Sequence, residues 1–483
     1  MTDADNRTRW LALYVLCLGS LMIVLDVTIV NVALPSIRED LGFSETSLAW
    51  VVNAYLLTYG GFLLLGGRLG DLFGHRKLFL AGIALFTLAS LACGLSTTQW
   101  MLVTARTVQG VGGAVASAVS LSLMMTLFTE PAERAKAMGL FGFVAAGGGS
   151  IGVLLGGVLT DLISWHWIFL VNVPIGVLVC LLSLRLLPRE RASAMSGRLD
   201  VAGALTVTAA LILAVYAIVN GNQNGWTSAE TLGLLGGAVV LLALFLGIES
   251  RVQSPLVPLG LFRLRNLRVS NLVGVLWAAA MFAWFFLSAL YLQLVLGYSP
   301  LQVGLAFLPS NLIMGAFSIG LSAKLVMRFG FRKPLAIGLL LAAAGLALFV
   351  RAPVDGTFLV DVLPSMILLG VGAGMAFNPV LLAAMSDVEP SEAGLASGLV
   401  NTSFLMGGAL GLAVLASVAS SRSHTLRLGG AGELSALTGG YHIAFLVGAA
   451  FAAAAAVIGG TLLRENPAAA HEPAQGAPAA EIS

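Results

Sequence analysis

The residue best suited to chemistry in this sequence is Asp26, a carboxylate inside the apolar run LDVTIVNVALP at 25–35. Burying a carboxylate in hydrocarbon is costly, so acidic residues in such runs are rare and usually line a solute pathway or a proton relay. Burial favours the neutral form, so we expect Asp26 to gain and lose a proton as its surroundings change. A fixed ion pair that locks two helices together is the alternative interpretation. No other carboxylate lies as deep in a predicted helix.

Arg106 is the one cation predicted to lie inside a helix, in the run LVTARTVQGVGGA at 102–114. Gln109 falls three residues later on the same helical face, and Gly110 follows it. At 1.5 Å per residue, Asp26 and Arg106 lie about 12 Å and about 10 Å from the outer ends of their helices. Such similar depths permit an interaction, either direct or through water.

A short polar segment, GGRLGDLFGHRK at 66–77, connects the second and third apolar runs. An acidic residue lies among basic ones there, which suggests an ion-pair latch, and the glycines allow tight turns. Glu130 or Glu133, in the next loop on the same side of the membrane, could form an ion pair with Arg76. The alternative is that the basic residues only set the membrane topology. The candidate gate residues are Gly67, Arg68, Gly70, Asp71, Gly74, Arg76 and Lys77.

Glycines recur every four residues in the fifth apolar run, at Gly148, Gly152 and Gly156, with Gly157 beside them. Small residues at this spacing let two helix backbones approach closely. Packing alone explains the pattern, and a role in gating is an additional hypothesis.

An aromatic stripe lies in the ninth apolar run, where Trp277, Met281, Trp284 and Tyr291 share one helical face. Aromatic faces bind flat organic cations by stacking and cation–π contact. With Asn31 of the first run, these residues form our candidate substrate pocket. Aromatic side chains that simply face lipid are the alternative.

The composition requires a membrane to position these residues. Of 483 residues, 58% are hydrophobic, 57 are glycines, and 10% are charged, against about 25% charged in soluble domains. So few charges cannot cover a surface that faces water. The net charge of +2 and the lack of a basic stripe argue against nucleic-acid binding.

The sequence lacks the motifs of ATP-driven proteins and those of enzymes or metal-binding proteins. None of the four lysines follows a glycine, so the Gly-Lys step of a phosphate-binding loop is missing and we expect no use of ATP. No catalytic or metal-ligand spacing involves the histidines or the three cysteines, so we expect no enzyme, no metal and no cofactor.

Fourteen apolar stretches are long enough to cross a bilayer. Twenty of the 25 Lys and Arg residues fall at the N-terminus and in alternate loops, against four (Arg38, Arg351, Arg422, Arg427) in the others. This asymmetry predicts that both termini are cytoplasmic. The stretches are 10–34, 47–67, 78–97, 100–122, 136–160, 165–187, 199–219, 231–249, 271–293, 302–324, 334–350, 358–384, 394–419 and 441–463.

An internal repeat divides the chain. The segment RLGDLFGHRK at 68–77 returns as KLVMRFGFRK at 324–333, after eight further apolar runs. Tandem parallel halves with a substrate site between them are typical of one class of secondary transporter. We therefore predict an all-α integral membrane protein with two six-helix halves and two extra central helices. The predicted parts are a cytoplasmic N-terminus (1–9), an N-terminal bundle (10–187), two inserted helices (199–249), a C-terminal bundle (271–463) and a disordered cytoplasmic tail (464–483).

With these motifs the chain resembles the major facilitator superfamily, in particular its fourteen-helix drug:proton antiporter branch. LDVTIVNVALP, GGRLGDLFGHRK, RTVQGVGGA and WHWIFLVNVPIG (165–176) carry the resemblance. Two positions depart from the branch pattern: Val153 replaces a proline in the helix-5 motif, and His166 replaces an arginine between two tryptophans.

The resemblance implies alternating access and export of hydrophobic, often cationic compounds in exchange for protons. It assigns Asp26 and Arg106 to proton coupling, and Asp71 and Arg76 to the cytoplasmic gate. An exporter of one endogenous metabolite or antibiotic is the alternative, and a transport-incompetent scaffold or sensor is less favoured because it gains nothing from burying Asp26 and Arg106. The arginine-rich composition favours a bacterial inner membrane, and we expect a monomer.

Overall fold

The computed structural model describes residues 3–128, 130–188, 200–252, 255–389 and 392–465. Within those ranges the chain is helical and contains no β-strand. Hydrocarbon offers backbone groups no hydrogen-bond partner, so a helix that bonds all of them internally is the expected solution. Polar caps mark several helix starts: Thr98, Ser228 and Ser299 each accept a hydrogen bond from a backbone N–H of the first turn.

The α-helices follow one another with short connections, and π-helical turns adjoin several of the later ones (Tyr291–Val295, Phe317–Leu321 and Phe358–Val362). The helices are α1 (Asp3–Leu41), α2 (Trp50–Phe73), α3 (His75–Gly94), α4 (Gln99–Leu127), α5 (Pro131–Leu162), α6 (Trp167–Leu170), α7 (Asn172–Leu186), α8 (Val201–Asn224), α9 (Ala229–Glu249), α10 (Arg265–Leu290), α11 (Pro300–Ala316), α12 (Ser322–Phe329), α13 (Arg332–Phe349), α14 (Leu363–Met385), α15 (Ala393–Leu428) and α16 (Glu433–Leu462).

Twelve helices in the described ranges are long and apolar enough to cross a membrane. The chain is therefore a multi-pass membrane protein, as its composition predicted. The expected stretches 136–160 and 302–324 are not among the twelve. They fall on α5 and on α11–α12, where the apolar helices found are the shorter Ile151–Leu162 and Pro300–Ala316. The expected tail lies outside the described residues from residue 466 onward.

Helix packing repeats along the chain. In the N-terminal group (α1–α7), α1 packs on α5 and α7, and α3 packs on α4; in the C-terminal group (α10–α16), α10 packs on α15 and α16, and α13 packs on α14. The repeated sequence segment has the same turn in both groups, because Gly74 and Gly330 both adopt positive φ, +92° and +74°. This left-handed conformation favours glycine, which explains why both copies keep it.

Two seams join the groups, one between α5 and α11 and one between α2 and α15. Helix α8 lies across the α2/α15 seam and contacts both helices, and α9 packs on α8. Asn222 of α8 donates to the carbonyl of Ser417 at 2.7 Å, and Thr208 of α8 lies against Gly61 of α2.

The groups also meet through polar contacts at the end of the molecule that the charge distribution predicts to be external. These contacts are an ion pair between Arg427 and Glu45 (2.6 Å) and hydrogen bonds from Ser299 to Asp161 (3.3 Å) and from Gln293 to the carbonyl of Val32 (2.9 Å). They hold the two groups together at that end.

Candidate functional site

Asp26 and Arg106 form a direct, fully buried ion pair. Nη1 of Arg106 donates to Oδ2 of Asp26, and the two residues are 0% and 1% exposed. The Nε of Arg106 donates to the carbonyl of Val51 at 2.9 Å, and its guanidinium lies 4.4 Å from the ring centroid of Tyr55. The pair therefore connects α1, α2 and α4 in the N-terminal group.

Amide side chains complete the shell around the Asp26 carboxylate. Gln109 and Asn172 donate to Oδ1 of Asp26 at 2.7 and 3.1 Å. The hydroxyl oxygen of Ser90 accepts from both amides, at 2.6 and 3.3 Å. The cluster formed by Asp26, Arg106, Gln109, Asn172 and Ser90, called the carboxylate cluster below, thus draws its residues from α1, α3, α4 and α7.

The carboxylate cluster supplies hydrogen-bond partners to both of its charged groups. The Asp26 carboxylate accepts from Arg106, Gln109 and Asn172, and these three donors offset the loss of water. Besides Asp26, Arg106 has two neutral acceptors, Oε1 of Gln109 (2.7 Å) and the carbonyl of Val51. Neither charged group therefore depends on the other for all of its hydrogen bonds.

Close helix contacts place Asp26 against its partners. A Cβ on Gly110 would lie 2.5 Å from the carbonyl of Tyr55, so only glycine lets α4 approach α2 this closely. On the other side of α1, a Cβ on Gly152 or Gly156 would lie 2.1 Å from Oγ1 of Thr28 or 2.6 Å from the carbonyl of Ile29.

The other two glycines predicted on the helix-5 face have different neighbours. A Cβ on Gly148 would lie 2.9 Å from Val24 of α1, whereas one on Gly157 would lie 2.7 Å from the carbonyl of Pro300 in the C-terminal group. The predicted glycine face thus divides: three glycines contact α1, and Gly157 belongs to the α5/α11 seam.

In the predicted gate segment, the basic residues contact backbone carbonyls. Nη2 of Arg76 donates to the carbonyl of Leu184 at 2.5 Å, and Nη2 of Arg68 to that of Pro255 at 3.4 Å. Glu133, an expected acceptor for Arg76, instead pairs with Arg9 at 3.0 Å.

The remaining gate residues take separate places in this segment. Gly70 packs against Val119 and His75, whereas open space surrounds the Cβ positions of Gly67 and Gly74. Lys77 lies in the first turn of α3. The side chain of Asp71 lies outside the part of the molecule that the structure describes.

The aromatic stripe lies inside the molecule and does not face lipid. Trp277, Trp284 and Tyr291 are each 1% exposed, and Met281 is half-buried. The hydroxyl of Tyr291 donates to the carbonyl of Pro353 at 2.7 Å, whereas the indole N–H groups of the two tryptophans have no partner. Asn31 is also buried, and its amide donates within α1.

Sequence reasoning missed Asn172 and Ser90 as partners of Asp26. Asn172 lies in the motif WHWIFLVNVPIG (165–176), and its position in that motif is the available signal. Ser90 carries no such signal, because a serine in an apolar helix normally bonds to its own backbone.

The profile of the Major Facilitator Superfamily matches residues 16–412. The chain belongs to this superfamily. It is 42% identical to the puromycin resistance protein pur8 of Streptomyces alboniger, over 86% of this chain and 83% of that protein. It is 39% identical to the cephamycin export protein CmcT of Amycolatopsis lactamdurans, over 94% and 93% of the two chains.

Solved structures of transporters share the fold. The xylose transporter XylE from E. coli, in a partially occluded inward-open conformation, superposes with a TM-score of 0.60 at 15% identity, over 93% of this chain and 97% of that one. A bacterial homolog of the human lysosomal transporter Spinster gives 0.65 at 17% identity, over 94% and 96%. The observed fold is therefore that of a major facilitator transporter.

Proposed function

We propose that this transporter exports hydrophobic, often cationic drugs in exchange for protons. The observation that carries the exchange is the buried carboxylate cluster, in which Asp26 pairs with Arg106 inside apolar helices and accepts from two further amide groups. A cationic substrate near Asp26 would favour the ionised carboxylate. Binding of the drug and binding of the proton would therefore compete with each other within one transport cycle. Alternating access would expose the cluster to each side in turn.

The names of the relatives support the choice of substrate class. One is a puromycin resistance protein, one exports cephamycin, and another, 38% identical, is a lincomycin resistance protein of Streptomyces lincolnensis. A dedicated exporter of a single antibiotic is the second candidate, and these names favour it as well. The buried indole groups of Trp277 and Trp284 would line the pocket in either case, with unbonded N–H groups available to a bound compound.

We further propose that α5 and α11–α12 also cross the membrane, which gives fourteen spans and places the chain in the fourteen-helix branch. The bundles would then be residues 10–187 and 271–463, with 199–249 inserted between them. The charge asymmetry supports a topology in which both termini lie in the cytoplasm of a bacterial cell. Asp71, with Arg68 and Arg76, would act in the gate at that face.

The decisive experiment is uptake into inverted membrane vesicles under a pH gradient. A susceptibility panel of puromycin, lincomycin and ethidium in an efflux-deficient host first selects an exported compound. Protection against dissimilar compounds indicates multidrug export, and protection against one indicates a dedicated pump. Asp26→Asn should insert normally but lose gradient-driven accumulation of the selected compound.

Glu230→Gln is the control, because Glu230 is exposed in the first turn of α9, a helix that contributes no residue to the carboxylate cluster or to the candidate substrate pocket. It should accumulate the compound as the unchanged protein does. Full, pH-dependent uptake by Asp26→Asn would contradict the assignment of proton coupling to this cluster.

A further inference from the structure

A second pair of buried carboxyl groups lies at neighbouring ends of the two inserted helices. Asp200 caps the start of α8, and its Oδ1 accepts from the N–H of Gly203 at 2.7 Å. Glu249 ends α9, and its Oε2 accepts from the N–H of Val257 at 3.3 Å. The two residues are 5% and 3% exposed. Sequence reasoning passed over both because carboxylates at helix ends normally lie in water.

Each carboxyl group has one further oxygen that is buried and has no hydrogen-bond donor, Oδ2 of Asp200 and Oε1 of Glu249. Helices α8 and α9 are joined by a short turn and pack along each other, so the start of α8 and the end of α9 lie side by side and bring the two carboxyl groups near each other. Two ionised carboxylates cannot form a hydrogen bond with each other, since both only accept. A single proton between them would satisfy both oxygens.

Few charged groups surround this pair. Of the elements packed around it, α2 contributes Arg68, whose Nη2 donates to the carbonyl of Pro255, and the exposed Arg251 follows α9. Throughout the part of the chain that the structure describes, neither carboxylate takes part in an ion pair. Two buried carboxylates at neighbouring helix ends, with no ion-pair partner among the described residues, repel each other when both are ionised.

We propose that Asp200 and Glu249 form a proton-binding dyad that shares one proton. The helix dipoles indicate where the remaining charge resides. Asp200 lies at the N-terminus of α8, which stabilises a negative charge, and Glu249 lies at the C-terminus of α9, which disfavours one. The proton therefore resides mainly on Glu249, and Asp200 keeps the charge.

The dyad fixes the connection between the inserted helices and the C-terminal group. Val257 donates its N–H to Glu249, and its side chain packs with two apolar clusters, one around Leu65 and Ala204 and one around Leu261. Two residues earlier, Pro255 accepts from Arg68 of the gate segment. Loss of the shared proton would create repulsion between α8 and α9 and loosen Val257. The dyad thus makes this connection sensitive to the pH on the predicted cytoplasmic side.

Infrared spectroscopy tests the dyad without measuring transport, so the result is independent of the role of Asp26. The Asp26→Asn protein, purified into lipid nanodiscs, is titrated from acidic to alkaline pH. We expect the carbonyl absorption of a protonated carboxyl group at neutral pH, which disappears at alkaline pH. Adding Glu249→Gln or Asp200→Asn should remove that absorption, because the amide donates to the remaining carboxylate and lets it stay ionised.

Glu230→Gln is the matched control, since Glu230 is exposed at the opposite end of α9; it should leave the absorption unchanged. Asp200→Asn keeps a good helix cap and so serves if Glu249→Gln fails to fold. An absorption that survives both dyad substitutions, or one that is missing from the parent protein at every pH, would overturn the proposal.

Discussion

Asp26 and Arg106 neutralise each other where water does not reach, so each depends on the other. Removing one partner of a buried pair costs about 3–5 kcal/mol, whereas replacing both with neutral groups of similar size is often tolerated. Arg106→Met should therefore lower the unfolding temperature sharply, and Asp26→Asn with Arg106→Met should recover much of the loss. Thermal unfolding of the single and double variants in detergent measures this coupling. Strictly additive effects would show that the pair contributes nothing beyond its separate residues.

The sequence indicated that these two residues could interact, directly or through water, and indicated little of their surroundings. Two charges in apolar helices are conspicuous, and the rise per residue placed them at similar depths. Asn172 and Ser90 come from helices whose rotation about their axes depends on packing across the bundle, which one sequence does not determine. Asp200 and Glu249 escaped prediction for a related reason: burial at a helix end depends on the neighbouring helix.

At the scale of elements, the contact between α1 and α5 depends on glycine. A Cβ on Gly156 would lie 2.6 Å from a backbone carbonyl of α1, which cannot move aside as a side chain can. Gly156→Ala should cost about 1–3 kcal/mol of stability through overpacking. Gly149→Ala is the control on the same helix, because its nearest neighbour would lie at an ordinary 3.9 Å. Equal unfolding temperatures for the two variants would contradict this account of the contact.

The glycine spacing predicted a close helix contact but not its partner. Four-residue periodicity defines one face of α5, and the sequence alone did not indicate that α1 covers it. Nor did it indicate that Gly157, one residue on, contacts the other group of helices. The aromatic stripe shows the same limit, since its periodicity was correct but did not distinguish a lipid-facing surface from the buried position observed.

At the scale of the whole molecule, the arrangement of basic residues predicts alternating loops. If α5 and α11–α12 cross the membrane, reporter fusions near residue 163 and near residue 298 should read external, and those near residues 75 and 330 should read cytoplasmic. Residue 163 follows α5, and residues 298 and 330 flank α11–α12; these are the segments that fall outside the twelve candidate spans. Alkaline phosphatase and green fluorescent protein fusions give opposite signals on the two sides. A cytoplasmic signal at residue 163 or 298 would remove the corresponding span from the topology.

The position of α8 makes the two seams between the helix groups differ in how they are covered from the outside. The α2/α15 seam lies beneath α8, while no helix in the described ranges covers the α5/α11 seam in the same way. Oily solutes concentrate in the bilayer before they meet a membrane protein, so their approach is sideways as well as from water. For such a solute, α8 and α9 shield the α2/α15 seam from the side, whereas within the described ranges no helix shields the α5/α11 seam in this way.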